Sequence, residues 1–377
     1  VPVLSEHQSS VTVHVDAPIV LEVTTASIEM DEEWMPYVQG TLTCPLGDGE
    51  IASIDPQADD TWVTVEIRRL LGRIDRVSDL TRKYRGTTLS DLTAQFAGGT
   101  LADVSASTYH DYEIPGHAKR SEERAWLLML RETSIDWAAA SVQIKLASGE
   151  ARLTDWTHSG AGPVTAPGAN LVARVNWFLE KGGFPEGLAS WSGPNPTAIG
   201  DEATLTTGQT GIEGLQALTR KHEQMVWCDE NGLWRMAPNR AASGTVTLRS
   251  SGPDRSVVNA VEKRSRDEGW VTAVILIYTW EGQTYYDTAY PGAPNPEKAL
   301  VIRYDKPFPG TGRAAAMLKQ LRPRGRALEL VAVSTYDLTP GQTGKYVSPR
   351  GTLTGRVSAV RWQLPDDEMS VRIREVA

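Results

Sequence analysis

Cysteine is nearly absent from this chain: Cys44 and Cys228 are the only two in 377 residues, and they lie far apart. A disulfide framework is excluded by that count, and the preferred reading is two separate reduced thiols. Nor can they form a Cys-x-x-Cys zinc site. Histidine is sparse, with six, and no His-Glu-x-x-His pair occurs, which removes the metalloprotease helix. There is no Gly-x-Ser-x-Gly elbow. No apolar run approaches the roughly 18 residues of a membrane span. Val1-Pro2-Val3-Leu4-Ser5-Glu6 has neither a basic region nor an apolar core, so no secretory signal is expected. A basic excess is lacking too: the net charge is −9, against the footprint of a nucleic-acid binder.

Phenylalanine is scarce (four) while tryptophan is abundant (twelve). Many Trp can mean a sugar-binding face; the preferred reading is core and interface anchors. Alternation dominates the first part. Residues 10–16, 20–23, 27–31, 37–44 and 61–68 read as short strands at about ten-residue spacing, the pattern of a sandwich or barrel. Residues 124–131 and 141–146 resume the strands, with 135–139 as the connecting turn and 147–156 as a short helix with Ser148 near its N-cap. Between these two sets lies an internal repeat. Ser78-Asp79-Leu80-Thr81 is followed by Ser90-Asp91-Leu92-Thr93, each copy running on to an aromatic, Gly, Thr and Leu, and a decayed third copy begins at Ala102. Ser at the N-cap, Asp in the first turn and a closing Gly predict short helices. The expected first domain is therefore 1–156, β-barrel-like, with a short-helix insertion at 76–118.

A Ser/Gly/Ala/Pro-rich linker at 157–169 opens a mixed middle domain, 157–248. It holds helices over 170–181 and 212–225 and a hairpin over 226–236, whose Asn231-Gly232 signals a type I′ turn. The third domain, 249–377, is again β-rich, with strands within 257–280 and 299–304 and a Tyr/Pro/Gly loop over 285–296. It carries one helix at 313–326, ended by Pro323 and Gly325. A strand then runs over 327–333 and a turn over Thr339-Pro340-Gly341-Gln342. The closing strand, Met369-Ser370-Val371-Arg372-Ile373, alternates strictly. The fold class is mainly β with an α+β middle part.

Candidate chemistry is thin. Gly341-Gln342-Thr343-Gly344-Lys345-Tyr346 lacks the spacing and the Ser/Thr of a phosphate loop and lies between strands. His110-Asp111 are adjacent and cannot face one another in a strand. The clusters Asp31-Glu32-Glu33, Asp229-Glu230 and Asp366-Asp367-Glu368 are read as solvated strand ends; paired carboxylates of a glycosidase need only spatial proximity and stay open. No catalytic, cofactor-binding or metal residue is assigned, no cofactor is expected, and the chain is expected not to be an enzyme.

Three stretches carry a resemblance. Glu33-Trp34-Met35-Pro36-Tyr37-Val38-Gln39 before a strand, the tandem Thr88-Leu89-Ser90-Asp91-Leu92-Thr93 tract, and the C-terminal helix, strand, Leu338-Thr339-Pro340-Gly341 turn and closing strand are similar to minor tail proteins of actinobacterial siphophages, of the tail-tip or baseplate hub type. The resemblance covers most of 30–377, more thinly between 157 and 256. It implies two barrel-like hub domains flanking the mixed one, a homotrimeric ring that closes the tail tube, and a place in the virion tail tip after synthesis in the host cytoplasm. The implied partners are the distal tail protein, the tape measure protein and other minor tail or receptor-binding proteins, with DNA only in transit during ejection. The alternative is a carbohydrate- or receptor-binding tail protein using Trp and Tyr of 280–292. A cell-wall hydrolase is disfavoured, since the last strand pattern ends at Ala377.

Overall fold

The computed structural model describes residues 4–14, 18–32, 35–45, 54–57, 61–72, 120–197, 203–238, 240, 242–252, 255–265, 270–290, 298–305, 308, 310–321 and 326–374. The repeat insertion, Trp34 and His110-Asp111 lie outside them.

The first strands are β1 (Leu4–His14), β2 (Ile19–Glu22), β3 (Thr25–Asp31), β4 (Val38–Pro45), β5 (Trp62–Gly72), β6 (Arg120–Asp136) and β7 (Ser141–Ala147). The middle holds α1 (Glu150–Asp155), β8 (Val164–Thr165), α2 (Leu171–Lys181), β9 (Leu188–Trp191), β10 (Thr204–Leu205), α3 (Gly211–Lys221), β11 (Met225–Cys228) and β12 (Trp234–Ala237). Then come β13 (Thr245–Arg249), β14 (Val257–Arg264), β15 (Ala273–Trp280), β16 (Gln283–Ala289), β17 (Ala299–Tyr304), α4 (Arg313–Leu321), β18 (Arg326–Val333), β19 (Thr343–Ser348), β20 (Gly351–Leu364) and β21 (Glu368–Arg374).

One sheet of 13 strands dominates, in the order β14-β18-β21-β20-β3-β4-β7-β6-β5-β1-β2, with β13 and β19 joined off that path. The mainly-β class holds. The first and last parts do not form two separate sheets, however: β20 pairs antiparallel with β3, Ala359 against Asp31 through Leu364 against Ala26. Among the described residues no pairing joins the end strands β14 and β2, so no closed barrel is seen. The length of β20 explains the joining: its first half pairs with β19 and its second with β3, while β21 takes the opposite edge.

Alternation sets the buried face. On β4, Val38, Leu42 and Cys44 are fully buried, and on β21 so are Met369, Val371 and Ile373. These residues join one core with Trp126 and Trp362, whose rings lie 5.5 Å apart. A second core binds α1–α3 to β9, β11 and β12. Asn170 caps α2 by accepting from Ala173 N (2.9 Å), and a capping box of Thr210 and Glu213 opens α3, each cap contributing about 1 kcal/mol. The third core packs α4 on the small sheet β16-β15-β17. There the buried carboxylate of Asp287, on β16, accepts from Ala314 N (2.9 Å) and caps α4 from a distant strand.

Several local expectations are corrected. The helix α3 stops at Lys221, and Met225 already begins β11. The N-cap of α1 is Gly149, with Ser148 beside it as expected; the Ser148 hydroxyl accepts from Val38 N (3.0 Å). The β11–β12 hairpin exists, but its turn is not type I′. Asp229 O accepts from Gly232 N (3.0 Å) and only Gly232 has positive φ, +74°; this is a three-residue loop closed by a left-handed glycine. The stretch from Tyr285 to Ala289 is strand, pairing with β15, and not loop. Gly341 does adopt the positive φ, +99°, that its turn requires, and a Cβ there would meet Arg240 O at 1.9 Å.

Candidate functional site

The residues that tie the three parts of the chain together are arginines at positions where the strand pattern calls for apolar side chains. Arg124 follows the same face of β6 as Trp126, Leu128 and Leu130, and it is buried with them. Its Nη1 donates to the carbonyls of Tyr336 (3.0 Å) and Leu338 (2.6 Å). Its Nη2 donates to Glu230 Oε1 and Thr339 Oγ1 (both 3.1 Å). The guanidinium also lies over the rings of Trp362 (4.9 Å) and Trp126 (5.4 Å). A buried cation is tolerated only when paired and hydrogen-bonded; here one carboxylate, two carbonyls, a hydroxyl and two π-faces do so. The partners come from the middle hairpin and from the segment before β19.

Arg240 makes the reciprocal joint. It follows β12 in sequence, is almost fully buried, and donates to the carbonyls of Glu32 (2.6 Å) and Asp31 (3.3 Å). Its guanidinium lies over Tyr37 (4.6 Å) and Trp227 (5.6 Å). Burial pulls its pKa below the usual guanidinium range, while Glu150, Tyr37, Glu32 and Asp31 pull it back. Burial likewise pushes the Tyr37 hydroxyl well up. Beside them Glu32 pairs with Arg356 (2.8 Å) and Asp31 with Arg372 (3.4 Å). Glu150, fully buried at the start of α1, accepts from Cys228 N (2.9 Å). Burial raises its pKa, against the hydrogen bonds from Ser148 and Cys228 and the charge of Arg240.

Two of the acidic clusters are therefore not solvated strand ends. Asp31 and Asp229 are buried, Glu32 and Glu230 largely so, and each has an arginine partner, Asp229 with Arg235 at 2.5 Å. Their partners lie up to hundreds of residues away, so only the inward register of Arg124 hinted at them in the sequence. The Gly341–Tyr346 stretch leads into β19, and Gly341 N donates to Val357 O (2.8 Å), so the sheet occupies the donor a phosphate would need. Both cysteines are buried and free, with burial pushing the Cys44 thiol up to about 12 and Cys228 up as well.

Among the described residues no three His, Cys, Asp or Glu converge as metal ligands, and no helix is long and apolar enough to cross a membrane. What the described surface offers is contact. The outer edges of β14, β2, β16 and β17 are unpaired among the described residues. Val258, Val261 and Val20 stand exposed on two of them, and Tyr286 and Val301 on the others. Open edges with apolar side chains are templates for another chain.

No family model matches this chain, and no curated protein matches it. Solved structures do. The tail protein from Neisseria meningitidis MC58 is similar at a TM-score of 0.57 and 12% identity, over 97% of this chain and 96% of that one. The 43 kDa tail protein of prophage MuSo2 from Shewanella oneidensis is similar at 0.57 and 11%, over 97% and 98%. A chain of the Francisella PdpA-VgrG complex is similar at 0.51 and 7%, over 98% of this chain but 58% of its own length. At such identities the likeness is one of fold.

Proposed function

We propose that this chain is a structural component of a phage tail, at the tail tip or baseplate hub. The observation that carries the reading is the end-to-end match in fold with two tail proteins, nearly the full length of each chain being covered. The buried ionic joints support it, because they fix the parts of the chain as one rigid piece suited to bearing load. In this reading three copies form a ring at the end of the tail tube, each giving two barrel-like portions drawn from the first and last parts. The ring anchors the distal tail protein, the tape measure protein and neighbouring minor tail or receptor-binding proteins, and DNA passes during ejection. The open edges of β14 and β2 are the surfaces that such neighbours would cover. The resemblance to siphophage minor tail proteins belongs to the same reading, and the role is mechanical, without catalysis.

Mass photometry with negative-stain imaging tests it. Rings of three copies are the expected result, from the chain alone or mixed with its distal tail protein. A chain that stays single in both preparations, and is missing from purified virions by mass spectrometry, would overturn the reading. Zymography on cell-wall material is expected to show no clearing.

A further inference from the structure

On the outer face of the large sheet, Thr43, Gln143 and Ser134 stand in one row across β4, β7 and β6. Ser141 and Asp136 begin the next row. The opposite face is core, with Leu42, Cys44, Val142 and Ile144 buried. Thr43, Gln143, Ser134 and Ser141 have no side-chain hydrogen bond among the described residues. Trp137, directly after β6, borders the same hollow, which is open and about 700 Å³ in volume. Its indole is 72% exposed, more than any other large apolar side chain described. The turn that presents it is pinned: Asp136 Oδ1 accepts from Ala138 N (2.9 Å) and Ala139 N (3.0 Å).

We infer that this hollow binds a neutral sugar, a pyranose unit of a glycan stacked on Trp137. A pyranose has a face of C–H bonds and a rim of hydroxyls. The indole supplies a flat apolar surface with a π-face for the first. The unengaged hydroxyls of Thr43, Ser134 and Ser141, and the amide of Gln143, supply both donors and acceptors for the second. Strands about 4.8 Å apart spread these groups over about 10 Å, the scale of one to two sugar rings. A protein hot spot would place the Trp at the centre of an apolar patch. Here most of its companions are polar, Ile135 and Ala138 being the exceptions. A charged ligand is disfavoured, since Asp136 is the one ionisable side chain lining the hollow and one of its oxygens is committed to the turn. The site is on the large sheet, whereas the exposed Trp280 and Tyr286 belong to the small one, and it stands or falls independently of the tail reading.

The test is titration calorimetry of the full chain with cellotetraose, maltotetraose and the tetramer of N-acetylglucosamine. At least one is expected to saturate with a Kd of about 1 mM or tighter. Trp137→Ala is expected to weaken that binding about tenfold or more, and Gln143→Ala to weaken it by a smaller factor. Trp280→Ala, at the other exposed indole, is expected to leave it unchanged. Because Trp137 and Gln143 are exposed, far-UV circular dichroism and melting of these variants should match the parent. Lack of saturation by all three sugars at about 10 mM, or binding that survives Trp137→Ala, would overturn the proposal. So would a Trp137→Ala variant that falls from assembled to single chains in mass photometry, which would make the indole a protein contact.

Discussion

Arg124→Met removes the charge at the central joint and keeps most of the side-chain volume. The structure sets the size of the loss. Two buried carbonyls, of Tyr336 and Leu338, lose their donor, Glu230 loses its cation and the faces of Trp126 and Trp362 lose theirs. A buried acceptor left unsatisfied costs about 1–3 kcal/mol. Glu230 is about a quarter exposed, so water recovers part of its pairing. Methionine packing against the two indoles offsets a further part. The expected loss is about 3–5 kcal/mol, the range for breaking a buried pair from one side. With a urea slope of about 3 kcal/mol per molar, the unfolding midpoint falls by about 1–2 M. Arg124→Lys should recover less than half, since one ammonium cannot span acceptors on two separate segments. Hydrogen exchange should locate the loss at the turn of Thr339 to Gln342 and at the β11–β12 hairpin. A midpoint for Arg124→Met within about 0.3 M of the parent would refute the idea that this residue holds the three parts together.

Other outcomes follow from the same geometry. Glu150 has a pKa raised by burial, so it adds stability fully present below its unfolded value of about 4.5 and lost as pH rises through the folded value. Glu150→Gln should therefore gain on the parent as pH goes from 5 to 8, read as the difference in urea midpoints; a constant difference would exclude that linkage. Gly341→Ala should destabilise by more than about 1 kcal/mol, since its Cβ would strike Arg240 O at a positive φ; calorimetric melting checks this. Cys44 and Cys228 are buried with thiols pushed up by burial, so Ellman's reagent should titrate neither in native protein at pH 8 and both in denaturant.

The parts of this fold that the sequence makes readable are those set by local rules. The closing strand β21 follows from Met369, Val371 and Ile373 alternating with polar residues, and α2 from Asn170 ahead of an amphipathic run. β16 is illegible, because both its faces carry exposed Thr and Tyr and its inward residue is the capping Asp287. Its burial pattern gives no alternation to follow. The end of α3 is blurred because Met225 continues the helical spacing, yet it is drawn into pairing with Ala237. The joints are harder still. Asp31 and Glu32 look like a solvated acidic run until Arg372 and Arg356, more than 300 residues on, arrive beside them. Burial of charge is a property of the assembled fold, and only the register of Arg124 on a strand of apolar side chains betrays it in advance.

The pairing of β3 with β20 has a consequence for how the protein is made. Asp31 and Ala359 are neighbours in the sheet but 328 residues apart in the chain. At the usual pace of synthesis, about 5–20 residues per second, β3 leaves the ribosome some 15–70 s before its partner. Throughout that interval one edge of a strand with fully buried Ile28 and Met30 stands open. The first strands can pair among themselves, but the sheet closes on β3 only after β20 has been made. Folding of the large sheet is thus a long-range event, slow by topology. Synonymous or temperature changes that slow its translation should therefore lower the yield of soluble protein.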